Sequence, residues 1–216
     1  MNSSSANREP KLMNARRMAL VTLFLLGALS LPADTFTFKA DRMTGGRATG
    51  KETTVLIGNA YVKSDNLVVQ AERIEIFGKD NQYVDCSGKV SGREEEKQIF
   101  FTTDRMRYDR KTKIAVLEGN SSMEDKKNEV VARGRHIEYN QNTDVTIFQI
   151  SVRLFKDNMV CRSEHAVYKR EEQLLDLSGF PVVFKKEDEF RADRIRVDLD
   201  TDDVVMEGSV SGSIKE

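Results

Sequence analysis

Tryptophan is absent from this 216-residue chain, proline occurs three times, and cysteine and histidine twice each. Two cysteines, Cys86 and Cys161, are too few for a disulfide scaffold; they either pair in an oxidising compartment or stay as buried free thiols. His136 and His165 leave zinc short of its usual four ligands, and the gap between Cys161 and His165 is not filled out by any further Cys or His. No Gly-rich phosphate loop, nucleophile elbow or dinucleotide-binding phrase occurs, and no 3.6-residue periodicity persists beyond two turns. No apolar run beyond Ala33 is long enough to span a bilayer as a helix. Positive charge is not in excess either, with 34 Lys and Arg against 35 Asp and Glu. The basic residues alternate with acids along the chain and form no patch, which excludes nucleic acid as a partner.

What is present begins with a leader-like segment. Lys11, Arg16 and Arg17 precede an uncharged run from Met18 to Leu31, "MALVTLFLLGALSL". A basic stretch, a short apolar run and small residues after it read as a secretory signal. Cleavage is expected after Ser30 or Ala33, giving residues 1–33 as signal peptide and 34–216 as one domain. Retention as an inner-membrane anchor is the alternative, although a spanning helix needs about 20 apolar residues and Pro32 with Asp34 closes this run early. The exported part carries 30 basic and 34 acidic residues, a net charge near −4. Periplasmic localisation follows from the export reading.

Beyond the leader the chain repeats. Gly58, Gly88, Gly119, Gln149, Gly179 and Gly208 fall 30, 31, 30, 30 and 29 residues apart. Between them run Arg42, Arg73, Arg105, His136, His165 and Arg194, most of them in variants of one phrase: "ADRM", "AERI", "TDRM", "GRHI", "SEHA", "ADRI". A period near 30 residues marks units that cannot bury their apolar faces alone and stack on neighbours. Within each unit apolar residues alternate, as at Leu56, Gly58, Ala60 and Val62, which is the period of a half-buried strand. Asn- and Asp-rich turns separate the strands at 63–66, 109–113, 140–144 and 198–203.

In the second strand of each unit the parity switches at the same place. Leu67, Val69 and Ala71 give way to Ile74 and Ile76, and Phe101 and Thr103 to Met106 and Tyr108. One extra residue in that strand, a β-bulge at the "D-R" pair, accounts for the switch and bends the sheet. The expected fold is all-β: an antiparallel sheet of about six two-strand repeats, folded over with an apolar interior and a charged exterior. Register slips near Phe148–Ile150, where Gln149 replaces glycine. The recurring acids Asp41, Glu72, Asp104, Glu164 and Asp193 are spread along the structure, whereas acid–base catalysis needs them to converge. They read as charge partners at the bends, and no enzyme, cofactor or metal is expected.

The stretches "LIGNAYVKSDNLVVQAERIEIF" (56–77) and "LEGNSSMEDKKNEVVARGRHIEYN" (117–140) resemble the LptA/OstA family of lipopolysaccharide-transport proteins, to which LptC and the LptD N-terminal domain are related. The resemblance extends over residues 36–214. It implies a semi-open β-jellyroll that holds acyl chains inside, serves outer-membrane biogenesis, and stacks end to end. It further implies lipopolysaccharide or a related acylated glycolipid as ligand, with a second copy or LptC- and LptD-like membrane components as partners. Those partners would meet the edge segments 34–43 and 203–212.

Physics agrees with a carrier. Each exposed methylene costs about 0.8 kcal/mol, so one acyl chain of roughly a dozen carbons costs on the order of 10 kcal/mol in water. Two sheet faces about 10 Å apart make a space of suitable width if small residues keep it from filling. The groove candidates are Leu56, Ala60, Val62, Val69, Ile74, Val90, Phe101, Met106, Leu117, Met123, Ile137, Leu177, Val183 and Ile195. Small inward positions (Gly88, Gly119, Ser121, Gly179) are expected between them, and methionine suits an adaptable lipid surface. An ordinary packed core, and with it a structural exported β-solenoid, is the other reading of the same residues.

Overall fold

The structure, a computed structural model, describes residues 36–48 and 51–215. The expected signal segment and its cleavage sites lie outside the described residues. Among the described residues, sixteen strands form one antiparallel sheet. In chain order they are β1 (Phe36–Lys39), β2 (Arg42–Ala48), β3 (Lys51–Ser64), β4 (Leu67–Phe77), β5 (Tyr83–Glu94), β6 (Ile99–Asp109), β7 (Ile114–Asp125) and β8 (Val130–Asn140). There follow β9 (Val145–Lys156), β10 (Met159–Lys169), β11 (Leu174–Ser178), β12 (Val182–Lys185), β13 (Asp188–Arg191), β14 (Arg194–Asp198), β15 (Val204–Glu207) and β16 (Ser211–Ser213). From β3 to β10 every strand pairs with its sequence neighbour, so the chain advances as a meander.

Each long strand is bent once, and the bends divide the sheet into two halves. One half holds segments such as Ala60–Ser64 and Leu67–Ala71, the other Thr53–Ile57 and Arg73–Phe77. At both ends the bend becomes a break. β1 pairs with the 61–64 part of β3 and β2 with the 51–57 part, while β15 continues one half on β14 and β16 the other on β13. The edge segments 34–43 and 203–212 are therefore each split across both halves.

The parity switch falls at the Asp/Glu–Arg/His pair as the pattern predicts, but the extra residue lies on the other strand. Ile57 pairs with Arg73 and Ala60 with Ala71, so Gly58 and Asn59 together face Glu72 alone. The same two-against-one step recurs where Gly88 and Lys89 face Asp104. The bend needs a left-handed backbone, with φ of 80° at Gly88 and 98° at Gly119, a region costly for residues with a Cβ. Space excludes a side chain as well. A Cβ built on Gly119 would stand 2.7 Å from Cβ of Asp104, and one on Gly88 2.9 Å from Cβ of Glu72. The recurring acid thus lies over the recurring glycine, and the two series keep step because they are two halves of one corner. The carboxylate also binds there: Asn120 N–H donates to Asp104 Oδ2 at 2.8 Å and Asn59 Nδ2 to Asp41 Oδ2 at 2.9 Å. These glycines sit at the bends and do not line the interior, which corrects their expected role as spacers there.

The fourth unit keeps the corner and shifts it by one residue. His136 and His165 both pair with Gln149, so Gln149 matches Ile57, and Ile150 with Ser151 takes the corner, at φ of 66° and 58°. The acid that should lie over it is Arg135. Acid and glycine are lost together, as a shared corner requires, and Ser151 N–H is taken up instead by Glu164 Oε2 of the following strand at 3.2 Å.

Candidate functional site

All fourteen groove candidates face the interior, and each is at most 8% exposed. They belong to one apolar cluster running from Leu56 to Leu199. Leu56, Ile74, Met106, Leu117, Ile137, Leu177 and Ile195 come from one half of the sheet. Ala60, Val62, Val69, Val90, Phe101, Met123 and Val183 come from the other. The fold brings them together, and it packs them: the trough is closed in this structure. Polar groups interrupt it near the bend, where Thr103 Oγ1 and Ser121 Oγ lie 2.8 Å apart and the buried Ser163 hydroxyl has no partner.

Opposite the bends, the turns of the two halves meet and are fastened by polar side chains that the sequence reading missed. Lys113 Nζ donates to Asp65 Oδ2 at 2.5 Å, Lys97 Nζ to Asp144 Oδ1 at 2.6 Å, and Arg170 Nε to Asp125 Oδ2 at 2.9 Å. Partner separations of 48, 47 and 45 residues give these links a regular beat of about one and a half repeats. Lys185, 3.4 Å from Asp202, continues the row.

The Asp125–Arg170 link differs from the rest in depth. Their side chains are 1% and 3% exposed, against 35% and 30% for Asp65 and Lys113. Asp125 Oδ2 also accepts from Tyr168 Oη at 3.1 Å and Asn128 Nδ2 at 3.0 Å, while Arg170 Nη2 donates to the Lys97 carbonyl at 3.0 Å. Burial pushes the Tyr139 and Tyr168 phenols well up, and the adjacent carboxylates of Asp144 and Asp125 add to the effect. Both phenols therefore stay protonated and donate to those carboxylates.

Cys86 and Cys161 are free and buried, which closes the disulfide alternative. Burial raises both thiols to about 12, with the Asp85 charge adding at Cys86. Against an ordinary thiol at 9.0, the thiolate fraction at neutral pH falls about a thousandfold. A thiol reagent is expected to leave the folded protein almost unmodified and to titrate both cysteines in denaturant. Modification of either one at the rate of a free thiol in the native state would contradict this placement.

Among the described residues, no group of three His, Cys, Asp or Glu could hold a metal ion. On the outer surface several arginines lie beside a carboxylate, across strands as Arg107 with Asp85 at 2.9 Å and Arg196 with Asp176 at 2.7 Å, or along one strand as Arg73 with Glu75 at 2.9 Å. One region gathers unpaired arginines side by side and corrects the expectation that basic residues form no patch. Arg133 pairs with Arg153, and Arg153 with Arg162, on consecutive strands β8, β9 and β10.

A single sheet bent along one line into two apolar-lined halves, with charged outer faces and paired turns at the mouth, defines the folded-over β-jellyroll class. A family model described as LptA/(LptD N-terminal domain) LPS transport protein matches residues 37–145, half of the chain, and the chain belongs to that family. The same corners and mouth links continue beyond the matched part, through Glu164–Gly179 and Lys185–Asp202. No curated protein matches the chain. Among solved structures, one described as LptH, the LptA homologous periplasmic component of the lipopolysaccharide transport device from Pseudomonas aeruginosa, aligns at 10% identity and a TM-score of 0.26, covering 85% of this chain and 96% of that one.

Proposed function

We propose that this protein is a periplasmic carrier that takes up the acyl chains of lipopolysaccharide or a related glycolipid between the two halves of its sheet. The observation that carries this reading is the segregation of surfaces: one apolar cluster, with polar groups only near the bend, faces inward along the repeats while the outer faces are charged. Family membership supplies the cargo class. Since the interior is packed, cargo must part the halves, and the mouth links are what it must break. The exposed links at Asp65–Lys113 and Lys185–Asp202 flank the buried one at Asp125–Arg170, so opening begins from an end. The split edges, β1 with β2 and β15 with β16, are each paired on one side, and their outer sides offer backbone groups to a second copy or to membrane components.

A photoreactive side chain at Met106 or Leu117 is expected to cross-link acylated glycolipid, and one at the outward Val116 is not. Glycolipid should also copurify from the native source without detergent. No recovered glycolipid, with equal labelling inside and outside, would sink the carrier. It would favour the filled-core spacer, the reading that the closed packing of this state supports.

A further inference from the structure

We propose that the outer face of β8–β10 is a docking surface for an anionic phospholipid bilayer. Arg133, Arg153 and Arg162 lie directly opposite one another on three consecutive strands, with about 5 Å from strand to strand. Like charges in that position repel and destabilise a sheet, whereas Arg73, Arg107 and Arg196 each have a carboxylate within ion-pair distance. Here none of the three forms an ion pair among the described residues. Arg133 instead stacks 5.6 Å from the Phe155 ring centroid and Arg162 5.1 Å from that of Phe184. A guanidinium held over a ring face keeps its N–H donors available to phosphate oxygens. The nearest acids form no ion pair with the row: Glu164 is turned to the Ser151 N–H, and Glu124 lies two pairs along, opposite Val131.

The bend beside this row is altered in the same direction. Where other corners carry an acid over a glycine, this one carries Arg135 and Ile150. Ile150 is 51% exposed, and Phe180 at the next glycine corner is 91% exposed, two strand spacings or about 10 Å away. Unpaired cations beside protruding apolar side chains match a surface of phosphate headgroups over hydrocarbon, whereas a soluble phosphate gives the apolar pair nothing to enter.

The test compares sedimentation of the whole chain with phosphatidylglycerol vesicles and with phosphatidylcholine vesicles. The ratio of the two partition coefficients cancels any apolar anchoring common to both. The triple variant Arg133→Gln, Arg153→Gln, Arg162→Gln should lower that ratio by at least about tenfold, since each basic residue near an anionic surface contributes roughly a factor of five. Arg73→Gln, Arg107→Gln, Arg196→Gln removes the same charge from paired positions and should leave the ratio within about twofold. Phe180→Ser should weaken phosphatidylglycerol binding with the arginines intact. Urea midpoints of the first triple should hold or rise, because a repulsion is relieved. Equal losses from both triples, or none from the first, would overturn the proposal. So would competition by soluble glycerol phosphate as effective as that by vesicles.

Discussion

Asp125→Ala is expected to lower the free energy of unfolding by about 3–5 kcal/mol, the largest loss from any polar substitution at the mouth. Arg170 would remain 3% exposed with its buried partner gone and only the exposed Glu171 carboxylate, 2.9 Å from Nη1, left to it, and a buried charge that loses its main counterion keeps most of the cost of leaving water. Arg170→Ala should cost a similar amount for the mirrored reason, stranding the Asp125 carboxylate with Tyr168 and Asn128 as its remaining donors. The exposed equivalent behaves differently: Lys113→Ala should cost less than about 1 kcal/mol, since water replaces the lost partner of Asp65. Urea denaturation of the three variants checks the ordering. A loss at Asp125→Ala no larger than that at Lys113→Ala would show that the pair is not buried in solution.

Replacing both partners separates the pair's net value from the cost of orphaning one. Asp125→Leu with Arg170→Met removes both charges, and the double variant should recover most of the single-variant loss. If that variant also takes up lipid without exchanging it, the buried pair acts as a polar point at which the closed mouth re-forms. The link would then matter less for stability than for return to the closed state.

Features confined to one phrase were legible in the sequence, and features that join phrases were not. The corner is local: an acid, an arginine or histidine and, 15 to 17 residues after the acid, a glycine recur in the same order, so spacing alone located every bend but one. At the exception, Gln149 held the expected number while Ile150 held the position, because register is set by pairing with His136 and His165 and not by counting from Gly119. The strand bearing the extra residue was misassigned for a related reason. A parity switch shows in the Ala71–Ile74 strand, whereas the doubled left-handed pair at Gly58–Asn59 leaves parity unchanged. The mouth links were invisible because their sign alternates: acid to base at Asp65–Lys113, base to acid at Lys97–Asp144, acid to base again at Asp125–Arg170. The arginine row escaped notice because its members are separated by 20 and 9 residues in sequence and meet only across strands.

Substitutions at one slot of the repeat should have opposite signs in neighbouring units. Gly119→Ala is expected to cost about 2–3 kcal/mol, combining a left-handed backbone penalty of about 1–2 kcal/mol with displacement of Asp104. Its φ of 98° and the 2.7 Å separation between the built Cβ and Asp104 Cβ leave no room for compromise. Ile150→Asn should instead stabilise by about 1 kcal/mol, because a β-branched residue there, at φ of 66°, is replaced by one that tolerates this region. In a chain of this length that gain amounts to about 2–4 °C in Tm. Adding Arg135→Asp to Ile150→Gly rebuilds the standard corner, with an acid placed to accept the Ser151 N–H as Asp104 accepts that of Asn120. The two changes should stabilise by more together than the sum of each alone, the mark of residues sharing one interaction. Strict additivity, or a loss at Ile150→Asn, would mean that acid and glycine are independent features and that their common thirty-residue spacing has another cause.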